Sequence, residues 1–179
     1  MKARRFVELA AFQAVWLVCA LGAAQGANAP GLVASASLVA AQLLLHSART
    51  AIVATTLASG IAGLAVETLL TTAGLVRYAA QWPDAHVAPP WIVALWLAFG
   101  STMPTTAKLL GRRPIVKAAM LGALFGPLSY AAGVQLGALH LAHPQWIGYA
   151  ALAFAWSVLF PGLIAIARMA SAAEQIERH

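Results

Sequence analysis

The sequence predicts an all-α fold: a polytopic transmembrane bundle of six helices with both the N-terminus and the C-terminus cytoplasmic. Hydrophobic residues make up 61% of the 179 residues and charged residues only 9%, whereas soluble domains carry about 25% charged residues. Six mainly apolar runs are each about long enough to cross the roughly 30 Å of hydrocarbon in a bilayer. When these runs are threaded in alternating directions, ten of the eleven Lys and Arg residues fall on one side.

The six predicted spans form a single transmembrane domain, residues 1–179, with short connections between helices. Polar residues, Gly or Pro mark the breaks. The break at 46–50 contains neither Gly nor Pro, but one helix through it would need about 45 residues, far more than one crossing requires. The predicted spans are approximately 6–27, 31–48, 51–75, 91–110, 115–139 and 146–167.

The first span follows three basic residues and therefore resembles a secretory signal. However, the apolar run from Phe6 to Gly26 is longer than the hydrophobic region of about 7–15 residues in such signals. The run also contains Glu8 and Gln13. We interpret it as a retained span.

The distribution of basic residues predicts the orientation, because cytoplasmic loops carry an excess of Lys and Arg. With the N-terminus inside, Arg77 is the only basic residue outside, and Trp82, Trp91 and Trp146 fall at the outer boundary. The net charge of +6 is then a topology feature of a bacterial inner (cytoplasmic) membrane protein. Nucleic acid is not a predicted partner, because the basic residues form no patch or stripe. The cytoplasmic residues are Lys2, Arg4, Arg5, Arg49, Lys108, Arg112, Arg113, Lys117, Arg168 and Arg178.

Glycines on two spans predict close helix packing. Lipid offers no hydrophobic drive for helices to associate, so small residues that let backbones approach are common at their interfaces. The predicted packing glycines are Gly60 and Gly63 in the third span, and Gly122, Gly126, Gly133 and Gly137 in the fifth.

Glu67 is the only acidic residue deep inside a predicted span. A carboxylate in lipid is costly, so it usually faces the bundle interior and is often functional. At about 1.5 Å per residue, Glu67 lies about 24 Å above the inner end of its helix, with Gln135 and Gln25 at a similar height. This predicts a polar cluster in the outer half of the membrane. Glu67 is then either a proton carrier, acid/base group or ligand anchor, or a hydrogen-bonded residue that locks helix packing.

Other polar residues give weaker predictions. Gln13 and Trp16 are one turn apart and share a helix face, which indicates an inward-pointing pair. His140 and His143 are too few to make a metal site, which needs three or four ligands. The sequence contains no His-Glu-x-x-His, Gly-x-Ser-x-Gly or phosphate-binding glycine motif, so no catalytic residue, metal or cofactor is predicted.

Several segments resemble a bacterial family of multi-span inner-membrane proteins known as DUF2878, a domain of unknown function. The most specific is Gly-Pro-Leu-Ser-Tyr-Ala-Ala-Gly at 126–133, and the others are Phe12-Gln13 with Trp16, Glu67, and the run 95–99. The resemblance covers most of the chain and implies an interior set of Gln13, Trp16, Glu67, Ser129 and Tyr130. One departure is Pro104-Thr105-Thr106, where members often have a His-Ser pair after the threonine.

The candidate intramembrane polar site is therefore Glu67, Gln13, Trp16, Gln25, Ser129, Tyr130 and Gln135. Small size and short loops favour an accessory or assembly subunit of a membrane or lipid-modifying system. The alternative is a small-molecule or ion carrier, or a binding subunit, with a pocket around Glu67. An enzyme acting on lipid is less supported, because acid/base catalysis needs a positioned pair of groups and only one buried carboxylate is present. Expected partners are the lipid bilayer and either a membrane protein or a lipid-derived ligand.

Overall fold

The computed structural model describes residues 2–176, and this part of the chain is helical almost throughout. Met1 and residues 177–179, which include Arg178, lie outside the described residues. Seven helices and two short strands occur in the described range. In chain order they are α1 Lys2–Ala24, α2 Ala29–Leu45, α3 Arg49–Thr72, β1 Val76–Tyr78, α4 Pro90–Ser101, α5 Met103–Leu110, α6 Pro114–Gln135, β2 Leu139–Leu141 and α7 Gln145–Ile176.

Four of the described helices are long and apolar enough to cross a membrane: α1 from Arg5, α3, α6 and α7. The helices α2 and α4 are apolar but shorter. Large apolar side chains cover the outside of the bundle, and Ile61 and Phe154 are 71% and 73% exposed. Small and polar residues such as Ser59 and Thr55 are buried instead. This distribution suits lipid as the surrounding solvent, because close backbone approach and hydrogen bonds hold such bundles together.

The fourth predicted span, 91–110, is two helices rather than one. The helix α4 ends at Ser101, and α5 begins at Met103 with Pro104 in its first turn. Proline lacks the backbone N–H and its ring clashes with the carbonyl four residues earlier, so it starts a helix more readily than it continues one. Pro127 and Pro161, in contrast, lie inside the uninterrupted helices α6 and α7.

The third and fifth predicted spans end earlier than expected, at Thr72 and Gln135, and each is followed by a short strand. The sequence analysis did not predict these strands. A glycine with positive φ lies two residues after each helix, Gly74 at +69° and Gly137 at +77°. Glycine adopts this left-handed conformation without the Cβ clash, which lets the chain leave the helix and turn.

The two helix–glycine–strand units are a structural repeat. Gly137 follows Gly74 by 63 residues, and the capping hydrogen bonds keep this spacing: Leu75 N donates to Leu70 O, as Ala138 N donates to Gly133 O. The strands β1 and β2 pair antiparallel, with Arg77 opposite His140 at the centre. Two further bonds flank the pair symmetrically, from Ala79 N to Ala138 O at 2.8 Å and from Ala142 N to Leu75 O at 3.0 Å. A pseudo-twofold axis therefore passes between Arg77 and His140.

The packing of the helices obeys the repeat within each half but not between the halves. The helix α3 packs on α4, and α6 packs on α7, as equivalent pairs. The helix α3 also packs along α7, but within the described residues α4 and α6 make no extensive contact. An exact repeat would pack α4 against α6 as it packs α3 against α7, but the space between α4 and α6 is open. The hairpin of α1 and α2 packs against α4 beside this space.

Asn28 ties the α1–α2 turn to the end of the bundle that carries the strands. Its side-chain amide donates to Ala80 O at 2.9 Å, and its side-chain oxygen accepts from Trp91 N at 3.3 Å. The Trp91 indole donates to Ala79 O at 3.0 Å. These bonds bring β1, the start of α4 and the first turn together at one end, which we call the strand end.

Candidate functional site

Glu67 is fully buried and accepts three side-chain hydrogen bonds. The Trp96 indole N–H donates to Oε1 at 2.7 Å, the Tyr130 hydroxyl donates to the same oxygen, and the Tyr78 hydroxyl donates to Oε2. Hydrogen bonds to ionised groups are stronger than neutral ones, and a buried carboxyl without partners would be costly. Each oxygen of the carboxyl therefore has the partners that its burial requires.

Four separate elements supply this Glu67 cluster, which we define as Glu67, Tyr78, Trp96 and Tyr130. Glu67 lies on α3, Tyr78 on β1, Trp96 on α4 and Tyr130 on α6. The left-handed turn at Gly74 folds β1 back so that Tyr78 reaches the carboxyl on its own helix. Tyr130 follows Glu67 by 63 residues, so these two residues occupy equivalent positions of the repeat. The cluster therefore joins the two halves across the pseudo-twofold axis.

Trp96 also forms half of a stacked indole pair. Its ring lies 4.6 Å from that of Trp156 on α7, at an interplanar angle of 19°. The predicted packing glycines Gly63 and Gly126 flank this pair: a Cβ on Gly63 would overlap Trp96, and one on Gly126 would lie 2.5 Å from Trp156. Each glycine thus lets a helix backbone approach one face of the stack. Gly63 and Gly126 are also equivalent in the repeat.

The other predicted packing glycines are of two kinds: three lie close to another residue, and one lies in a turn. A Cβ on Gly60 would overlap Leu97, and one on Gly122 would overlap the backbone oxygen of Trp156. A Cβ on Gly133 would lie 3.0 Å from Leu139. Gly137, with its positive φ, is required by the turn and not by a close neighbour.

A cavity of about 580 Å³ occupies the open space between α4 and α6. This volume falls within the range of small-molecule sites, about 300–1,000 Å³. The cavity is partly open, and residues of α1, α4, α6 and α7 line it. Its lining residues are Phe12, Gln13, Trp16, Ala20, Trp91, Ile92, Leu95, Trp96, Phe99, Leu121, Gly122, Phe125, Gly126, Leu128, Ser129, Tyr130, Ala132, Gly133, Ala138, Leu139, Trp156 and Phe160.

The cavity lining is aromatic and uncharged. Four of the six tryptophans of the chain line it, and among the described residues no Asp, Glu, Lys, Arg or His does. The polar atoms of Trp96, Trp91 and Tyr130 are already bonded to protein acceptors, and Ser129 donates to Gly126 O at 2.7 Å. The carboxamide of Gln13 makes no hydrogen bond to the described residues. The cavity therefore offers a large apolar surface and few free polar groups.

The structure brings most of the predicted site residues together, but it separates Glu67 from the cavity. Gln13, Trp16, Ser129 and Tyr130 all line the cavity. Glu67 lies behind this wall and reaches it through Trp96 and Tyr130. This position fits the alternative in which Glu67 locks packing.

Gln25 and Gln135 do not join the Glu67 cluster. Both are exposed, Gln25 in the turn after α1 and Gln135 at the end of α6. Both were placed near Glu67 by height along their helices. Height says nothing about which side of a helix a residue occupies, and these two glutamines lie on outward sides.

Sequence analysis overlooked Tyr78 and Trp156 and treated Trp96 only as part of a motif. A periodicity in the sequence points to the partners on α3 and α6. Glycines occur eleven residues apart at Gly63 and Gly74, and again at Gly126 and Gly137, with Glu67 and Tyr130 at the same place between them. The indoles of α4 and α7 have no such spacing, because the loops before these helices differ in length.

Comparison with known proteins gives a family but no activity. No curated protein and no solved structure matches the chain. A family described as "Protein of unknown function (DUF2878)" matches residues 5–162, which include most of α1, the Glu67 cluster and the cavity lining with Trp156. The chain belongs to this DUF2878 family.

Proposed function

We propose that this protein binds a small apolar molecule inside its helix bundle. The observation that carries the proposal is the cavity of about 580 Å³, whose wall of aromatic rings contains no charged residue among those described. Apolar pockets with a few placed polar groups are the usual form of ligand sites.

The Glu67 cluster supports this function by ordering one wall of the cavity. Trp96 and Tyr130 each present a ring to the cavity and a polar atom to the carboxyl behind it. Side chains fixed in this way keep a site in its binding shape and lower the entropy cost of binding. In this proposal Glu67 is a positioning residue and has no contact with the ligand.

The proposed setting is a bacterial inner membrane, crossed six times with both termini cytoplasmic. The short helices α2 and α4 then serve as spans, with α5 and the strand pair completing the crossings at opposite ends. The excess of basic residues at the predicted cytoplasmic end supports this orientation. The exposed apolar surface of the bundle supports a lipid environment.

A binding protein can act alone as a carrier or as one subunit of a larger system, so an accessory role in a membrane or lipid-modifying system stays a prediction. The cavity favours ligand binding as the primary property in either case. Of the functions predicted from sequence, the binding subunit is therefore the one that the geometry supports best.

The test is native mass spectrometry of the protein extracted gently from its own membranes, with identification of bound small molecules. Leu121 lines the cavity, whereas Leu124, on the same helix, is 56% exposed and lies outside it. We expect Leu121→Trp to fill the cavity and displace a ligand that wild type and Leu124→Trp both retain. Thermal unfolding of both variants checks that they fold.

An equal ligand content in all three proteins would overturn the proposed site. A stoichiometric protein partner without any small molecule would favour the accessory subunit instead.

A further inference from the structure

We infer that the ligand is a neutral, lipid-soluble molecule with one carbonyl or hydroxyl group, and that it enters from the bilayer through the gap between α1 and α6. This inference rests on the proposed binding function and adds the chemical class and the route. Three features of the cavity carry it: the position of its opening, the uncharged lining and the unbonded carboxamide of Gln13.

The helix contacts around the cavity and the exposure of its edge residues indicate an opening on the lipid-facing side of the bundle. The helices α1 and α6 both line the cavity, yet no extensive contact joins them within the described residues. Phe125 and Leu128, the α6 residues at this edge, are 57% and 52% exposed. The strand end is covered by the pairing of β1 with β2 and by the bonds of Asn28. The side between α1 and α6 is therefore the less obstructed way in.

The lining of the cavity disfavours a charged ligand. Transferring an ionised group into an apolar site without a partner costs several kcal/mol. Among the described residues, the cavity lining contains no charged side chain, and Trp91, Trp96 and Tyr130 already donate their N–H or O–H groups to protein acceptors. A phosphate or carboxylate group would find no compensation inside. A neutral apolar ligand does not carry this desolvation cost.

Gln13 supplies an adaptable polar contact in the cavity lining. It lies seven residues into the predicted span 6–27, about 10 Å from the inner end of that span and so within the hydrocarbon if α1 spans the membrane. Its carboxamide makes no hydrogen bond to the described residues, and an unsatisfied amide in hydrocarbon is costly. A ligand carbonyl or hydroxyl held at this depth would satisfy it. The phosphate groups of phospholipids lie outside the hydrocarbon, whereas neutral lipids can place a polar group within it.

The experiment uses a diazirine-bearing long-chain alcohol in nanodiscs of phosphatidylcholine, with photolabelled residues mapped by mass spectrometry. A phosphatidylcholine with the same diazirine in one acyl chain reports general lipid contact. The variants are Gln13→Leu and, as matched control, Gln135→Leu, because Gln135 is also exposed but lies outside the cavity. Labelling is measured as a function of alcohol concentration.

We expect the alcohol to label the facing sides of α1 and α6 above the level given by the phosphatidylcholine probe. Loss of one hydrogen bond should weaken this labelling by about threefold to tenfold in Gln13→Leu and leave it unchanged in Gln135→Leu. Labelling at the cavity that Gln13→Leu does not weaken would overturn the role of Gln13 and the need for a polar group. Labelling spread evenly over all lipid-facing helices would overturn the route.

Neither of these negative results touches the proposed function. That function fails separately, if Leu121→Trp retains the same co-purifying molecules as Leu124→Trp.

Discussion

Glu67 and Tyr130 occupy equivalent positions of a structural repeat, and their side chains meet across its pseudo-twofold axis. Tyr130 donates its hydroxyl to Glu67 Oε1, while Tyr78 and Trp96 complete the hydrogen bonding of the carboxyl. The same position of the repeat therefore carries a carboxyl group in the first half and, in the second half, a phenol that donates a hydrogen bond to it. Four structural elements meet at this contact, so we expect the loss of one of its groups to destabilise the whole bundle.

We expect Glu67→Leu to destabilise the protein strongly and Glu67→Gln to do so mildly. Leucine leaves three buried donors without an acceptor, at about 1–3 kcal/mol for each. The glutamine oxygen still accepts from Trp96 or Tyr130, and the Tyr78 hydroxyl can turn to accept from the amide nitrogen, so a loss of about 1 kcal/mol is expected. Thermal unfolding in detergent measures both. Equal unfolding temperatures of wild type and Glu67→Leu would contradict the structural role.

The three tyrosines of the chain separate hydrogen bonding from packing. Tyr78→Phe and Tyr130→Phe each remove only a hydroxyl that donates to Glu67. The predicted cost is about 1 kcal/mol each, since side-chain hydrogen bonds within membrane bundles are modest. Tyr149 is partly buried and makes no such bond, so Tyr149→Phe is the matched control and should be close to neutral. Chemical unfolding of the three variants side by side tests this, and a control as costly as the other two would count against it.

Much of the architecture was predictable because lipid imposes long apolar runs and short breaks. The helices α1, α3, α6 and α7 follow from hydropathy alone. The break at Thr102 was not predicted, since proline is tolerated inside some spans and starts a helix in others, and only the neighbouring packing decides. The strand pair was missed because three residues are too few for any alternation pattern to be recognised.

For the site, the sequence predicted one polar group of seven residues. The structure places Gln13, Trp16, Ser129 and Tyr130 at the cavity and Glu67 behind its wall, whereas Gln25 and Gln135 lie elsewhere. Glu67 stands out in the sequence because a carboxyl group is costly to bury in a membrane, whatever its hydrogen-bond partners are. Which donors reach it depends on the turn at Gly74 and on packing between distant helices, and neither is encoded in local spacing. The cavity lies where α4 and α6 make no extensive contact within the described residues, and no sequence pattern reports the absence of such packing.

Gly63→Ala and Gly126→Ala should both disrupt the stacked indole pair. The added methyl group overlaps Trp96 in the first variant and approaches to 2.5 Å of Trp156 in the second. Overpacking of this kind costs about 1–3 kcal/mol and displaces the rings. Near-ultraviolet circular dichroism, which is sensitive to coupled indoles, should lose intensity in both variants. Gly162→Ala, on α7 with open space around it, is the control and should keep the spectrum.

Gly74→Ala and Gly137→Ala should cost similar amounts although neither methyl group meets a close neighbour. Both glycines have positive φ, and a Cβ there costs about 1–2 kcal/mol from backbone strain alone. Because the two turns are equivalent in the repeat, we expect unfolding free energies to fall by comparable amounts. A large loss in one variant and none in the other would show that the two turns do not contribute equally to the bundle.

Cysteine labelling tests the proposed orientation in the membrane. The single native cysteine, Cys19, is fully buried, and Cys19→Ala provides a background for one new cysteine at a time. Asp84, in the exposed loop between β1 and α4, and Ala172, near the end of α7, lie on opposite sides of the membrane in the six-span topology. In intact spheroplasts an impermeant maleimide should label Asp84→Cys at once and Ala172→Cys only after permeabilisation. The reverse order would invert the topology, and immediate labelling of both would mean that the number of crossings between them is even and that the helix α7 exits on the outside.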